Sequence, residues 1–162
     1  MLSFSKSEEG RRLRMITSML MLVAAPGELA QPLLQPFSML IGHCWSASIE
    51  LPGTDTHCFE SVYGGQHVRD RHRVVASGHE VYAGETLYSV KGSQVIFTYW
   101  NSLGGLGTGN VTLTAPQWHF TGAIHATPTN PEEPMVSTWK LGTDGYKVRN
   151  GSSAPVVFKR AD

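Results

Sequence analysis

The chain has 162 residues, 41% of them apolar, enough for one domain with a buried core and too few for two comfortable ones. Thirteen Lys and Arg balance thirteen Asp and Glu, so the electrostatic footprint of a nucleic-acid or anionic-membrane binder is missing. Seventeen glycines and nine prolines, spread rather than clustered, predict many turns and few long helices, and fit neither a disordered chain nor a coiled coil.

Arg11, Arg12 and Arg14 precede an apolar stretch from Met15 to Ala25, and Pro26-Gly27 follows. A basic segment leading into a short apolar run has the layout of a secretory signal and is too short to span a bilayer. Ala30 offers a small residue at the last signal position. The expectation is a signal peptide over residues 1–30, export to the periplasm or beyond, and a mature domain over residues 31–162 with no integral membrane segment. A buried N-terminal helix is the competing reading of the same stretch.

Gln31–Met39 is the only later segment that reads as helical, and Pro36 limits it to about two turns. From Leu40 onward, short runs alternate with period two between turn residues. Strands are expected near His43–Leu51, Asp55–Tyr63, Gln66–Ala76, His79–Val90, Gln94–Ser102, Gly109–Thr114, Trp118–His125, Met135–Leu141, Gly145–Asn150 and Pro155–Arg160. Pro52-Gly53, Gly64-Gly65, Ser77-Gly78, Lys91-Gly92, Asp144-Gly145 and Asn150-Gly151 all suit tight reversals. Ala126–Pro134, with three prolines, is the one long irregular segment. The expected fold is all-β: an antiparallel up-and-down barrel of about 8–10 strands with a short N-terminal helix, because closure removes the two sheet edges. A sandwich would need more long crossing loops than the chain offers.

Leu40-Ile41-Gly42-His43-Cys44-Trp45, leading from the short helix into the first strand, resembles the opening of lipocalin-like (calycin) barrels. Those families place a Gly-x-Trp there, where the Trp plugs the barrel bottom; here the spacing is Gly-x-x-Trp. Gly84-Glu85-Thr86-Leu87-Tyr88 and Phe97-Thr98-Tyr99-Trp100-Asn101-Ser102 resemble segments of uncharacterised exported bacterial proteins of this general type. The resemblance implies an inward Trp45 and an internal pocket for a small apolar or amphipathic molecule. Haem-binding relatives carry their proximal His late in the chain. The last His here is His125 and the final expected strand has none, so haem is not expected.

A turn centred on Gly64-Gly65 puts His57 opposite His72, Phe59 opposite Asp70 and Glu60 opposite Arg69. A two-residue turn at Ser77-Gly78 puts Asp70 opposite Glu85, and a bulge at Ala83-Gly84 would turn Glu85 to the other face. One face then carries His57, Phe59, Val68, Asp70, His72, Val74, Glu85 and Leu87, and the other carries Glu60, Arg69, Arg71 and Arg73. An arginine row suits solvent, so the first face points inward. If Trp45 is inward, His43 joins it. Strand parity adds Trp100 to the same interior.

The candidate ligand-binding residues are therefore Trp45, His57, Phe59, Asp70, His72, Glu85 and Trp100. Histidines and carboxylates inside a barrel need partners, and titratable groups in a cavity are functional candidates. They can orient a ligand, or form a closed polar network around water. His43, His57 and His72 could hold zinc or iron, given nitrogens about 2.0–2.2 Å from one ion. His57, His72 and Asp70 could instead serve as acid and base in an enzyme. No nucleophile-plus-base motif and no His-Glu-x-x-His pattern supports the catalytic reading.

Cys44 and Cys58 are the only cysteines, and in an exported chain an even count favours a disulfide. Direct pairing requires a three-residue turn at Glu50-Leu51-Pro52; centring on Pro52-Gly53 would leave the sulfurs too far apart. Gly104-Gly105-Leu106-Gly107-Thr108-Gly109 leads into a strand rather than a helix, so a flexible rim loop is expected there, not a phosphate cradle. Three functions compete. The first is an exported barrel holding a small apolar or amphipathic ligand, without nucleic acid or cofactor. The second is a His/carboxylate enzyme, with or without a metal, in the same cavity. The third is a solid barrel that meets an acidic partner through Arg69, Arg71 and Arg73.

Overall fold

The computed structural model describes residues 28–50 and 52–162. Apart from Glu28–Ala30, the expected signal segment lies outside the described residues. A 3₁₀ helix, Pro32–Met39, precedes ten strands: β1 Cys44–Ile49, β2 Gly53–Val62, β3 His67–Ala76, β4 His79–Lys91, β5 Gln94–Asn101, β6 Leu106–Thr114, β7 Gln117–His125, β8 Glu133–Gly142, β9 Gly145–Asn150 and β10 Val156–Arg160. Every strand pairs antiparallel with its neighbours in sequence, and β10 pairs back onto β1 to close the barrel. No described helix is long and apolar enough to cross a membrane.

The helix covers one end of the barrel. Leu34, Phe37 and Leu40 are fully buried there. The Phe37 ring lies 4.5 Å from Tyr88 and 4.7 Å from Trp118 between centroids. Trp45 points inward beside this plug and donates its indole N–H to the Leu40 carbonyl at 3.3 Å. Burying each such side chain contributes about 1.5–3 kcal/mol.

Cys44 pairs directly with Cys58, and Ile49 sits opposite Gly53, which is the register of the three-residue connection. The two cysteines form a disulfide across this pair, with their Cα atoms 4.1 Å apart. Closing a loop of about 15 residues contributes about 3 kcal/mol.

The β2–β3 hairpin has the expected register, with His57 opposite His72, Phe59 opposite Asp70 and Glu60 opposite Arg69. The β3–β4 hairpin does not. Val75 faces Glu80 but Val74 faces Tyr82, so Val81 is an extra, bulged residue. Beyond it Asp70 faces Thr86 and Arg71 faces Glu85. A one-residue slip sends every side chain to the opposite face. Thr86 and Tyr88 are therefore inward, while Glu85 and Leu87 are outward. The error carries into β5, where Tyr99 pairs with inward Thr86 and Trp100 pairs with outward Glu85.

The glycine-rich segment is less loop than expected. β6 starts at Leu106, so Gly107 and Gly109 are strand residues. Gly109 faces Gly122 across to β7. A Cβ on Gly109 would lie 2.6 Å from the Phe97 ring, so the bare backbone makes room for an inward aromatic.

Candidate functional site

A cavity of about 350 Å³ lies inside the barrel, in the half away from the helix. Its two walls differ in chemistry. Asp55 and His57 from β2, Asp70 and His72 from β3, Tyr82 from β4 and Tyr99 from β5 form a polar wall. Phe120, Met135, Trp139, Val148, Val156 and Phe158, from β7 to β10, form an apolar one. Trp139 and Phe158 of this wall belong to a longer row in which Trp118, Trp139, Tyr146 and Phe158 stack in succession, with centroids 6.1, 5.0 and 5.0 Å apart. The row ends where Phe158 meets the His57 ring edge-on at 4.9 Å.

The polar wall follows from strand alternation. Asp55 and His57 are two residues apart on β2, Asp70 and His72 two apart on β3, so all four point inward together. His57 donates Nδ1–H to Asp70 Oδ2 at 2.8 Å, and the Asp70 side chain is only 3% exposed. Asp55 sits between the two rings: Oδ2 is 3.5 Å from His57 Nε2 and Oδ1 is 3.6 Å from His72 Nδ1. His72 Nε2 is 3.3 Å from the Tyr99 hydroxyl, which is itself hydrogen-bonded to the Tyr82 hydroxyl. A Cβ on Gly84 would fall onto His72 Nε2 and within 2.8 Å of the Tyr99 oxygen. Glycine at this position is what lets the two side chains meet.

Burial alone would lower the His57 pKa, but the facing Asp70 carboxylate, with Asp55, outweighs it and raises the value to about 10. Asp55 shows the converse. Burial pushes it up, yet the adjacent His57 and His72 rings hold the carboxyl well below its ordinary range. Tyr99 is pushed above the ordinary phenol value by burial and by Tyr82, so it remains a neutral hydroxyl. The value of about 10 makes His57 an imidazolium at neutral pH, clamped between two carboxylates. Even so, Asp55 Oδ1, Asp70 Oδ1 and His72 Nδ1 are buried without a hydrogen-bond partner.

Of the residues expected from sequence, His57, Asp70 and His72 meet at the cavity wall. Trp45 and Phe59 are inward and buried, but they belong to the core beneath the cavity and do not line it. Glu85 is a correction: the Val81 bulge turns it outward, where it lies 4.0 Å from Arg69. Trp100 is the second, carried outward by the same slip and 39% exposed. His43 is the third. It precedes β1, accepts a hydrogen bond from Arg160 at 2.6 Å and lies 3.4 Å from Asp162, so the trio His43, His57 and His72 does not converge.

Sequence reasoning missed Asp55, Tyr82, Gly84 and Tyr99. Asp55 was within reach, since it shares parity with His57. The other three depend on the bulge. On the outer face, Glu60 Oε1 accepts from Arg69 Nη2 at 2.8 Å and from Arg71 Nε at 3.2 Å, so two of the three arginines of the row form a surface ladder.

No protein-family model and no curated protein matches the sequence. Among solved structures the chain is similar to Rv2717c from M. tuberculosis, with a TM-score of 0.56 and 15% identity over 83% of this chain and 100% of that one. At that identity the likeness shows a shared barrel fold.

Proposed function

We propose that this chain is an exported barrel of calycin type that holds a small amphipathic molecule, its apolar body on the aromatic wall and its polar end at Asp55, His57 and His72. The two-sided wall of the cavity carries the reading: hydrophobic area supplies affinity and a few convergent polar groups fix orientation. The disulfide supports an oxidising compartment. Leu29 is buried, Ser61 Oγ donates to the Glu28 carbonyl at 2.9 Å, and Ala30 N donates to the Gly65 carbonyl at 2.9 Å. Cleavage after Ala30 would remove Glu28 and Leu29 from these contacts, so we place the mature N-terminus at or before Glu28. Ala25-Pro26-Gly27 supplies small residues at the two signal positions that need them.

An acid–base enzyme in the same cavity is the second reading, favoured by His57 between two carboxylates. Against it, a histidine titrating near 10 is a poor base at neutral pH, because efficient proton transfer needs a pKa near the working pH. The test of binding uses N-phenyl-1-naphthylamine, a neutral dye that brightens in apolar surroundings. The protein should bind it saturably, and Val148→Trp, which fills the cavity, should abolish binding while circular dichroism stays unchanged. Equal dye binding by the filled variant would overturn the proposal.

A further inference from the structure

We propose that Asp55, His57 and His72 form a zinc site whose fourth position opens into the cavity. One ligand atom from each lies within 4.8 Å of those of the other two. Among the described residues six buried side-chain polar atoms lack a partner, and three of them, Asp55 Oδ1, His72 Nδ1 and Asp70 Oδ1, fall in this one cluster. Buried polar atoms are normally paired, so such a concentration asks for something that accepts several lone pairs at once.

The surrounding bonds point the right atoms at that place. Asp70 holds the Nδ1–H of His57, which directs the Nε2 lone pair toward Asp55 and His72. When His72 donates Nε2–H to the Tyr99 oxygen, 3.3 Å away, its lone pair falls on Nδ1. A carboxylate or hydroxyl behind each ligating ring is the usual outer support of a metal site. The ion takes the place of the proton that otherwise sits on His57 Nε2.

Donor chemistry selects the metal. His57 Nε2 lies 3.5 Å from Asp55 Oδ2 and His72 Nδ1 lies 3.6 Å from Asp55 Oδ1, so the carboxylate turns one oxygen toward each ring. Two histidines, one carboxylate and an open fourth position suit Zn²⁺, leaving room for the Lewis-basic end of a molecule in the cavity.

The full-length protein with its disulfide intact, stripped with EDTA and dialysed, is titrated with Zn²⁺ by calorimetry and with Co²⁺ by visible absorption. One equivalent should bind, with the intense d–d band of tetrahedral Co²⁺. His72→Gln and Asp55→Asn should each weaken binding at least tenfold. Tyr99→Phe, a positioning change, should weaken it about 10-fold. Glu85→Gln, on the outer face, should change nothing. A folded wild type that binds no stoichiometric zinc, or binding that survives His72→Gln and Asp55→Asn together, would overturn the site. Dye binding, read on the same samples, reports separately on the cavity.

Discussion

Two halves of one barrel face each other across the cavity and are built on opposite principles. From β7 to β10 the interior is a row of stacked rings, Trp118, Trp139, Tyr146 and Phe158, whose large apolar area outweighs the cost of burying Trp118 Nε1 and the Tyr146 hydroxyl without partners. From β2 to β5 the cavity wall is dominated by charges and hydroxyls that lose hydration and recover part of it through one another. The first half stabilises the fold, and the second spends some of that stability on a chemically specific surface. Both halves sit in the same strand lattice, so the difference lies in which residues alternate inward.

The largest way to break this contrast is to remove the aromatic wall. Trp139 packs against Trp118, Phe120 and Tyr146 and is 7% exposed. Trp139→Ala should cost about 3–5 kcal/mol in urea unfolding, a loss out of proportion to any change on the outer face. On the polar wall, Asp70→Asn should cost on the order of 3 kcal/mol, because it leaves a buried imidazolium short of one carboxylate.

The same pair gives the metal-free protein a pH profile. The His57 pKa is raised from 6.5 to about 10, so its contribution is complete below pH 6.5 and lost as pH climbs toward 10. The Asp55 pKa is lowered from 3.8, so its contribution is present above that value and fades as pH falls below it. Urea midpoints should therefore peak between these limits, and Asp70→Asn should flatten the alkaline arm. An alkaline arm unchanged in Asp70→Asn would show that His57 does not carry it.

Gly84→Ala is a smaller and sharper perturbation. Its methyl would displace His72 and Tyr99, costing about 1–3 kcal/mol by overpacking, and should weaken zinc and dye binding together. The smallest effect belongs to Arg71→Ala. Arg71 is next to Asp70 in sequence but 60% exposed, and its bond to Glu60 is a surface pair worth within about 1 kcal/mol. Neighbouring residues on one strand would then differ severalfold in cost, because one faces in and the other out.

The β2–β3 hairpin was legible because Gly64-Gly65 marks its centre and alternation does the rest, which placed His57, Asp70 and His72 on one inward face. The β4 register was not. Ser77-Gly78 looks like an ordinary tight turn, and it behaves as one as far as the Val75–Glu80 pair. The extra residue, Val81, comes only afterwards, and nothing in its identity announces a bulge. That single slip misplaced Glu85 and Trp100 and hid Thr86, Tyr99 and Gly84. His43 failed differently, since it lies just before β1, where period-two alternation no longer fixes direction.

The central claim is that a small amphipathic molecule sits between the two walls, and methyl NMR with N-phenyl-1-naphthylamine tests it most directly. Ile124, Met135, Val148 and Val156 line the cavity, whereas Val81, Leu103, Leu106, Val136 and Val157 are exposed outside it. Saturable shifts at the inner methyls, with the outer ones still, are the expected result. Shifts confined to the outer methyls would contradict it and return the dye, and the function, to the barrel's surface.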